Sequence, residues 1–245
     1  MTEALLRLEG VGVAFGALEV LSDLSLEVRR GEFVAFVGPS GCGKTTLLNV
    51  CSGYLQPATG EIRRTGRVRM VFQQDGLLPW LTVGENVRLG LNHVAQEAER
   101  ASRAEALIAL IKLEGFEDHY PHQVSGGMRQ RVELARALAG ETDILLMDEP
   151  FSSLDYLTRL RMRRELARLL REQPRTVVLV THDIEEAAQL ADRVFVLSER
   201  PGRVRDEVHL TIPRPREATG PEVVGAVHKI LADLGLGPAA YLPGS

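Results

Sequence analysis

Residues 38–45 read Gly38-Pro39-Ser40-Gly41-Cys42-Gly43-Lys44-Thr45 and satisfy every fixed position of G-x-x-x-x-G-K-[ST]. The chemistry such a run can do is to hold phosphate. Glycines reach positive φ and let a ligand approach the backbone, so consecutive N–H groups can converge on one anion. Lys44 would neutralise β- and γ-phosphates, and the Thr45 hydroxyl, followed by Thr46, would ligate magnesium. Taken alone, the run is also readable as a glycine-rich turn capping a helix. A chance match in a chain of this composition is on the order of 0.2%, and the run lies between an apolar strand, FVAFV, and a helical stretch, KTTLLNVCSGYL. Context and rarity together favour a nucleoside triphosphate site.

Three further places could act on phosphate. DILLMDEP buries four apolar residues and then presents Asp148 and Glu149 at the strand's carboxyl end, where ligands of open α/β sheets bind. Asp148 could hold magnesium through water and Glu149 could polarise an attacking water. Adjacent carboxylates before Pro150 are also a plausible helix cap when read without the phosphate loop. Ser125, Gly126 and Gly127 open a helix with small residues and a serine hydroxyl, a second anion site. His182 in VLVTHD and Gln73 in MVFQ end two more apolar strands.

The elements that must position these groups are legible as texture. Residues 5–36 alternate in short strand-like stretches, and strand character returns over 60–73. From about 84 to 140 the pattern is helical, as expected of an inserted α-helical subdomain. After it, strands and helices alternate, which argues an α/β fold with a mostly parallel central sheet covered on both faces. Residues 211–245 read as a short, proline-containing tail, helical near 222–234.

The 245 residues are 44% hydrophobic and 25% charged with net charge −4, an ordinary globular composition. An acidic balance supplies no field for a phosphate backbone, so no nucleic acid partner is expected. The longest apolar runs are strand-sized, whereas a spanning helix needs roughly 20 apolar residues, and MTEALLRLEG shows no apolar signal region. Cys42 and Cys51 match neither a disulfide framework nor a metal pair. Of 29 basic residues only Lys44, Lys112 and Lys229 are lysines. His119 and His122, in a polar loop, read as solvated, and the arginine-rich stretch 159–171 reads as a solvated helix face. Cys42 is a candidate for thiol reagents, with no catalytic base beside it. Around Pro79, the apolar Leu77, Leu78, Trp80 and Leu81 read either as subdomain core or as a groove for a partner's helix.

In motif order and spacing, residues 5–210 resemble the ATP-binding cassette (ABC) transporter family. GPSGCGKT resembles its Walker A loop, VFQ its Q-loop at Gln73, and VSGGM its signature. ILLMDE resembles its Walker B strand, SSLD at 152–155 its D-loop, and THD its switch histidine, His182. Phe15 stands where the family stacks an aromatic ring on adenine. The chain departs at Val124, where leucine is usual, and at Met128, where glutamine is usual. The resemblance implies a P-loop NTPase fold with an N-terminal antiparallel β subdomain, an ATP- and Mg2+-dependent ATPase, and the domain extent 1–210. It implies two cassettes closing head to tail, each ATP held between one chain's residues 38–46 and the other's Ser125, Gly126 and Gly127. Glu149 would be the general base, His182 would hold the γ-phosphate and water, and Gln73 would join Thr45 and Asp148 at the metal. FQQDGLLPWLTVGENV and LSERPGRV resemble importers of nitrate, sulfonate, taurine or bicarbonate. That implies a homodimer bound peripherally at the cytoplasmic face of the inner membrane to separate permease subunits, and served indirectly by a solute-binding protein. Rival readings are a non-transport ATPase of the same family and a cassette serving another solute.

Overall fold

The computed structural model describes residues 3–72 and 76–236. Strand β1 (Ala4–Phe15) turns through Gly16 into β2 (Leu18–Arg29), and the two pair antiparallel. Strand β3 (Phe33–Val37) is buried along its whole length and leads through the glycine loop into α1 (Lys44–Ser52). The strand character of 60–73 resolves into two strands in different sheets. β4 (Thr59–Arg64) pairs antiparallel with β1, and β5 (Val68–Val71) opens the central sheet.

The helical region holds α2 (Val83–Leu89), α3 (Glu97–Leu110), a 3-10 turn at Pro121–Gln123, and α4 (Gly126–Ala139). α2 starts with a capping box in which Thr82 Oγ1 accepts from Glu85 N at 3.2 Å while Glu85 Oε2 accepts from Thr82 N at 2.8 Å. Beyond it come β6 (Ile144–Asp148), α5 (Tyr156–Glu172), β7 (Thr176–Val180), α6 (Ile184–Leu190) and β8 (Arg193–Leu197). β9 (Val204–His209) and α7 (Pro221–Asp233) follow. The reading of the sequence had no strand at β9. Its residues VRDEVH are mostly half-buried or exposed, and an edge strand paired on one side needs no long apolar run.

Among the described residues the strands form two sheets, ordered β2-β1-β4 and β5-β6-β7-β3-β8-β9. The larger is parallel except where β9 runs antiparallel to β8. Period-2 alternation splits its side chains between two cores. Val34, Phe36, Ile144, Leu146, Val178 and Val180 pack with α1 and the small sheet. Phe33, Ala35, Leu145, Met147, Val177 and Leu179 pack with the other helices. Burying each side chain of this kind contributes roughly 1.5–3 kcal/mol, so strand order is strongly specified.

Candidate nucleotide site

β6, β7 and β3 are adjacent and parallel, so their carboxyl ends share one edge of the sheet. Residues from three distant parts of the chain meet there: the glycine loop after β3, Asp148 and Glu149 at the end of β6, and His182 after β7. They border a cleft of about 510 Å³ lined by Ser40, Gly41, Gly43, Lys44, Thr45, Thr46, Glu149 and His182, with Leu18 and Val20 from β2 and Arg200 from the β8–β9 loop.

The loop's shape depends on glycine. Gly43 has φ +107°, and a Cβ there would lie 2.6 Å from Leu21 Cδ2. Gly43 also stands as the N-cap of α1 without a capping side chain, whereas Ser125, Asp155 and Asp183 cap α4, α5 and α6 through their oxygens. The first N–H groups of α1 therefore face the cleft with the helix dipole behind them, as an anion requires. Lys44 Nζ donates to the carbonyls of Gly38 at 2.7 Å and Pro39 at 2.9 Å, which holds the ammonium against the loop.

Asp148 is buried beside the Thr45 hydroxyl, which hydrogen-bonds to it, and burial raises its carboxyl above the usual range. Two hard oxygen donors at one point suit magnesium, which binds through few protein ligands and the nucleotide's own phosphates. Glu149 adopts φ +46°, a left-handed conformation that costs a non-glycine residue energy and clusters at functional sites. Its backbone is held by Glu149 N donating to Val180 O at 2.9 Å and by Gln130 Nε2 and Ser152 Oγ donating to its carbonyl. Its carboxylate Oε1 lies 3.0 Å from His182 Nδ1. That contact favours the tautomer with the proton on Nδ1 and leaves Nε2 for another partner.

A buried ionic brace stands directly behind His182. Asp183 accepts from Arg159 at 3.2 Å and from the fully buried Arg163, and its other oxygen caps α6 through Glu186 N at 2.9 Å. Arg159 also donates to the carbonyl of Leu154 at 3.1 Å. The stretch 159–171 is thus not simply a solvated face: Arg163 is 2% exposed because its partner lies on another element. Thr181 Oγ1 donates to Glu186 Oε2 at 2.5 Å, and burial pushes Glu186 up to about 7, offset by Thr181 and Arg163. A carboxyl raised in the folded state favours folding most below its unfolded pKa and loses that contribution as pH rises through about 7. Relative to Glu186→Gln, the stability of the parent protein to urea is therefore expected to fall between pH 4.5 and 7.5, by up to about 3 kcal/mol. A constant difference across that range would remove Glu186 from this role.

The remaining expected site residues divide. Gly38 and Pro39 serve through their carbonyls. Cys42 is buried and its thiol is raised chiefly by burial, so the expected reactivity toward thiol reagents is not supported. Phe15 is half exposed at the β1–β2 turn, outside the cleft lining. Ser125, Gly126 and Gly127 lie at the start of α4, also outside it, and the Ser125 oxygen accepts from Met128 N at 3.2 Å. Gln73 lies outside the described residues. His119 is half-buried against the Phe116 ring, centroids 5.1 Å apart, rather than solvated, and His122 is exposed beside Tyr120. Gln130 and Arg200 were missed. Gln130, buried in α4, joins the Glu149 carbonyl to Ser153. Arg200 lies within the LSERPGRV run, yet the contacts of both residues span more than fifteen positions of chain, which local sequence does not reveal.

A glycine cradle at a helix start, with acidic groups on the neighbouring strand end and a histidine on the next, defines a phosphate-loop NTPase. The chain belongs to the ABC transporter family, whose description matches residues 21–152. It is similar to an aliphatic sulfonates import ATP-binding protein of Rhodococcus jostii, 48% identical over 217 residues, covering 86% of this chain and 84% of that one. A protein of the same description from Nocardia farcinica is 44% identical and covers 96% and 94%. Among solved structures, a dimeric bacterial ABC transporter cassette matches with TM-score 0.76 at 34% identity, covering 84% of this chain and 99% of that chain. A dimeric post-hydrolysis cassette bound to ADP and Pi matches with TM-score 0.74, 34% identity and coverage of 84% and 99%. The chain is an ATPase of this family.

Proposed function

We propose that this chain energises a bacterial importer of small anions, with aliphatic sulfonates as the solute class and nitrate, taurine or bicarbonate as the alternatives of the same group. The observation that carries the solute class is the similarity to sulfonate import subunits along nearly the whole chain. The chain hydrolyses ATP for the machine and never touches the solute.

In this reading two copies close head to tail. The dimeric solved relatives support it, as does the position of Ser125, Gly126 and Gly127 outside the cleft of their own chain. The start of α4 from a second copy would complete each site from above and exclude water. Residues 38–46 grip the triphosphate, and Phe15 stacks on adenine. Thr45, Asp148 and Gln73 would hold magnesium, which would supply charge neutralisation to the triphosphate. Glu149 takes the proton from the attacking water, and His182, oriented by Glu149 at Nδ1, holds the water and the γ-phosphate through Nε2.

Among the described residues no helix is long and apolar enough to cross a membrane. In this reading separate permease subunits form the solute path, and the chain docks on them peripherally at the cytoplasmic face. Leu77 is buried, in keeping with subdomain core, but Trp80 is 68% exposed. A second cleft of about 510 Å³, lined by leucines such as Leu107, Leu110, Leu169 and Leu170 and rimmed by Arg103, Gln173 and Arg175, lies between the helical segment and α5. Both suit an amphipathic helix that lays its apolar face in a groove. Trp80→Ala is expected to weaken binding of detergent-solubilised permease about tenfold or more while MgATP affinity stays unchanged. Equal permease binding would return Trp80 to an idle surface residue. The solute is tested by deleting the gene: growth on an alkanesulfonate as sole sulfur source should fail while growth on sulfate continues. Loss of growth on nitrate alone would reassign the solute.

A further inference from the structure

Arg200 belongs to the loop that joins β8 to β9, and this loop is knitted to the nucleotide cleft by backbone. Gly202 N donates to Val20 O at 2.9 Å, and Ser22 N donates to Gly202 O at 3.1 Å. A Cβ on Gly202 would meet Cys42 O at 2.3 Å, so only a glycine lets this loop lie against the phosphate loop so closely. Ser198 Oγ donates to Pro201 O at 3.0 Å and accepts from Arg203 N at 3.0 Å, which closes the turn around Arg200.

From that platform the Arg200 guanidinium reaches the tip of the phosphate loop. Nε and Nη2 both donate to Gly41 O, at 3.0 and 2.8 Å. Gly41 has φ +76°, and a Cβ there would stand 3.0 Å from Arg200 Nη2. Two features go beyond a structural clamp. The acceptor is a neutral carbonyl, so the bond leaves the full positive charge in place. The side chain is exposed and lines the same cleft as Lys44, Thr45, Glu149 and His182. An arginine has five N–H donors in a fixed fork, and a fork already oriented at the loop is prepared for a second, anionic acceptor. The Cys42 thiol, packed beneath the loop, feels both Lys44 and Arg200 as neighbouring charges.

We infer that Arg200 is a nucleotide-binding residue, a second cationic arm that fixes the tip of the phosphate loop through Gly41 and offers its remaining donors to the polyphosphate. The inference rests on the ATPase reading of this cleft and adds a residue to it. Arg200→Gln separates the two roles, because its amide can still donate to Gly41 O but carries no charge. Calorimetric titration with MgATP in 50 mM salt should show Arg200→Gln and Arg200→Ala binding roughly tenfold more weakly than the parent protein, with Arg200→Lys largely restored. The gap should narrow severalfold at 0.5 M salt, since an exposed charge is screened. Equal affinity of Arg200→Gln and the parent, or a gap independent of salt, overturns the inference. Should Arg200→Gln melt earlier without nucleotide, Arg200→Lys decides: tight binding supports the charge, and weak binding overturns it. A parent protein that fails to bind MgATP would instead overturn the nucleotide reading of the whole cleft.

Discussion

Glu149→Gln is expected to stop turnover while MgATP remains bound, leaving a dimer with ATP trapped between its halves. The loss in kcat should be roughly 10²–10⁴-fold, the range of a general base. The backbone bonds that hold this position do not use the carboxylate. The strained backbone is kept by Glu149 N on Val180 O and by Gln130 and Ser152 on the Glu149 carbonyl. A glutamine fills the same volume and can still accept from His182 Nδ1, whose distance to Oε1 is 3.0 Å. What it cannot do is take a proton from water. Steady-state hydrolysis, combined with gel filtration in MgATP, checks both halves of the prediction. Hydrolysis at the normal rate would end the role assigned to Glu149.

Arg163→Ala is expected to destabilise the fold by about 3 kcal/mol, the lower part of the range for breaking a buried ion pair. Arg163 is 2% exposed and bonds Asp183, and it also lowers the carboxyl of Glu186 against the effect of burial. Arg159 still faces Asp183 at 3.2 Å in the variant, which keeps the cost from the top of the range. Arg163→Met should recover part of the loss, because it refills the volume without a charge. Urea unfolding measures both, and a shift under about 1 kcal/mol for the alanine variant would show that Arg163 is no brace. Asp183 follows His182 directly in sequence, and Arg159 ties the same carboxylate to the carbonyl of Leu154 in the turn before α5.

How much of this was legible beforehand depended on chain distance. The phosphate loop, the Asp148–Glu149 strand end and the parallel α/β alternation are all written locally, within one strand, one turn or one helix start. The Ser125 cap is a local matter too, and it leaves the hydroxyl's own proton able to donate. Its neighbours 126–128 place a backbone N–H where it can reach the oxygen, and the serine caps its own helix. The burial of Arg163, the β9 edge and the place of Arg200 were not legible, because each needs a partner far along the chain. A run such as LTRLRMRRELARLL shows charges at helical spacing, but only the packing of α5 beside α6 decides which of them leaves water.

The sequence by itself determined the candidate chemistry: which residue types, at which short spacing, are suited to grip phosphate, hold a metal or take a proton. Tertiary structure alone decided which of them meet. The order β6-β7-β3 brings Lys44, Glu149 and His182 to one cleft, seats Arg200 beside them and leaves Ser125 outside it. The physical reason is that hydrogen-bonded local structure is specified residue by residue. The adjacency of strands is specified only when their buried faces are packed together.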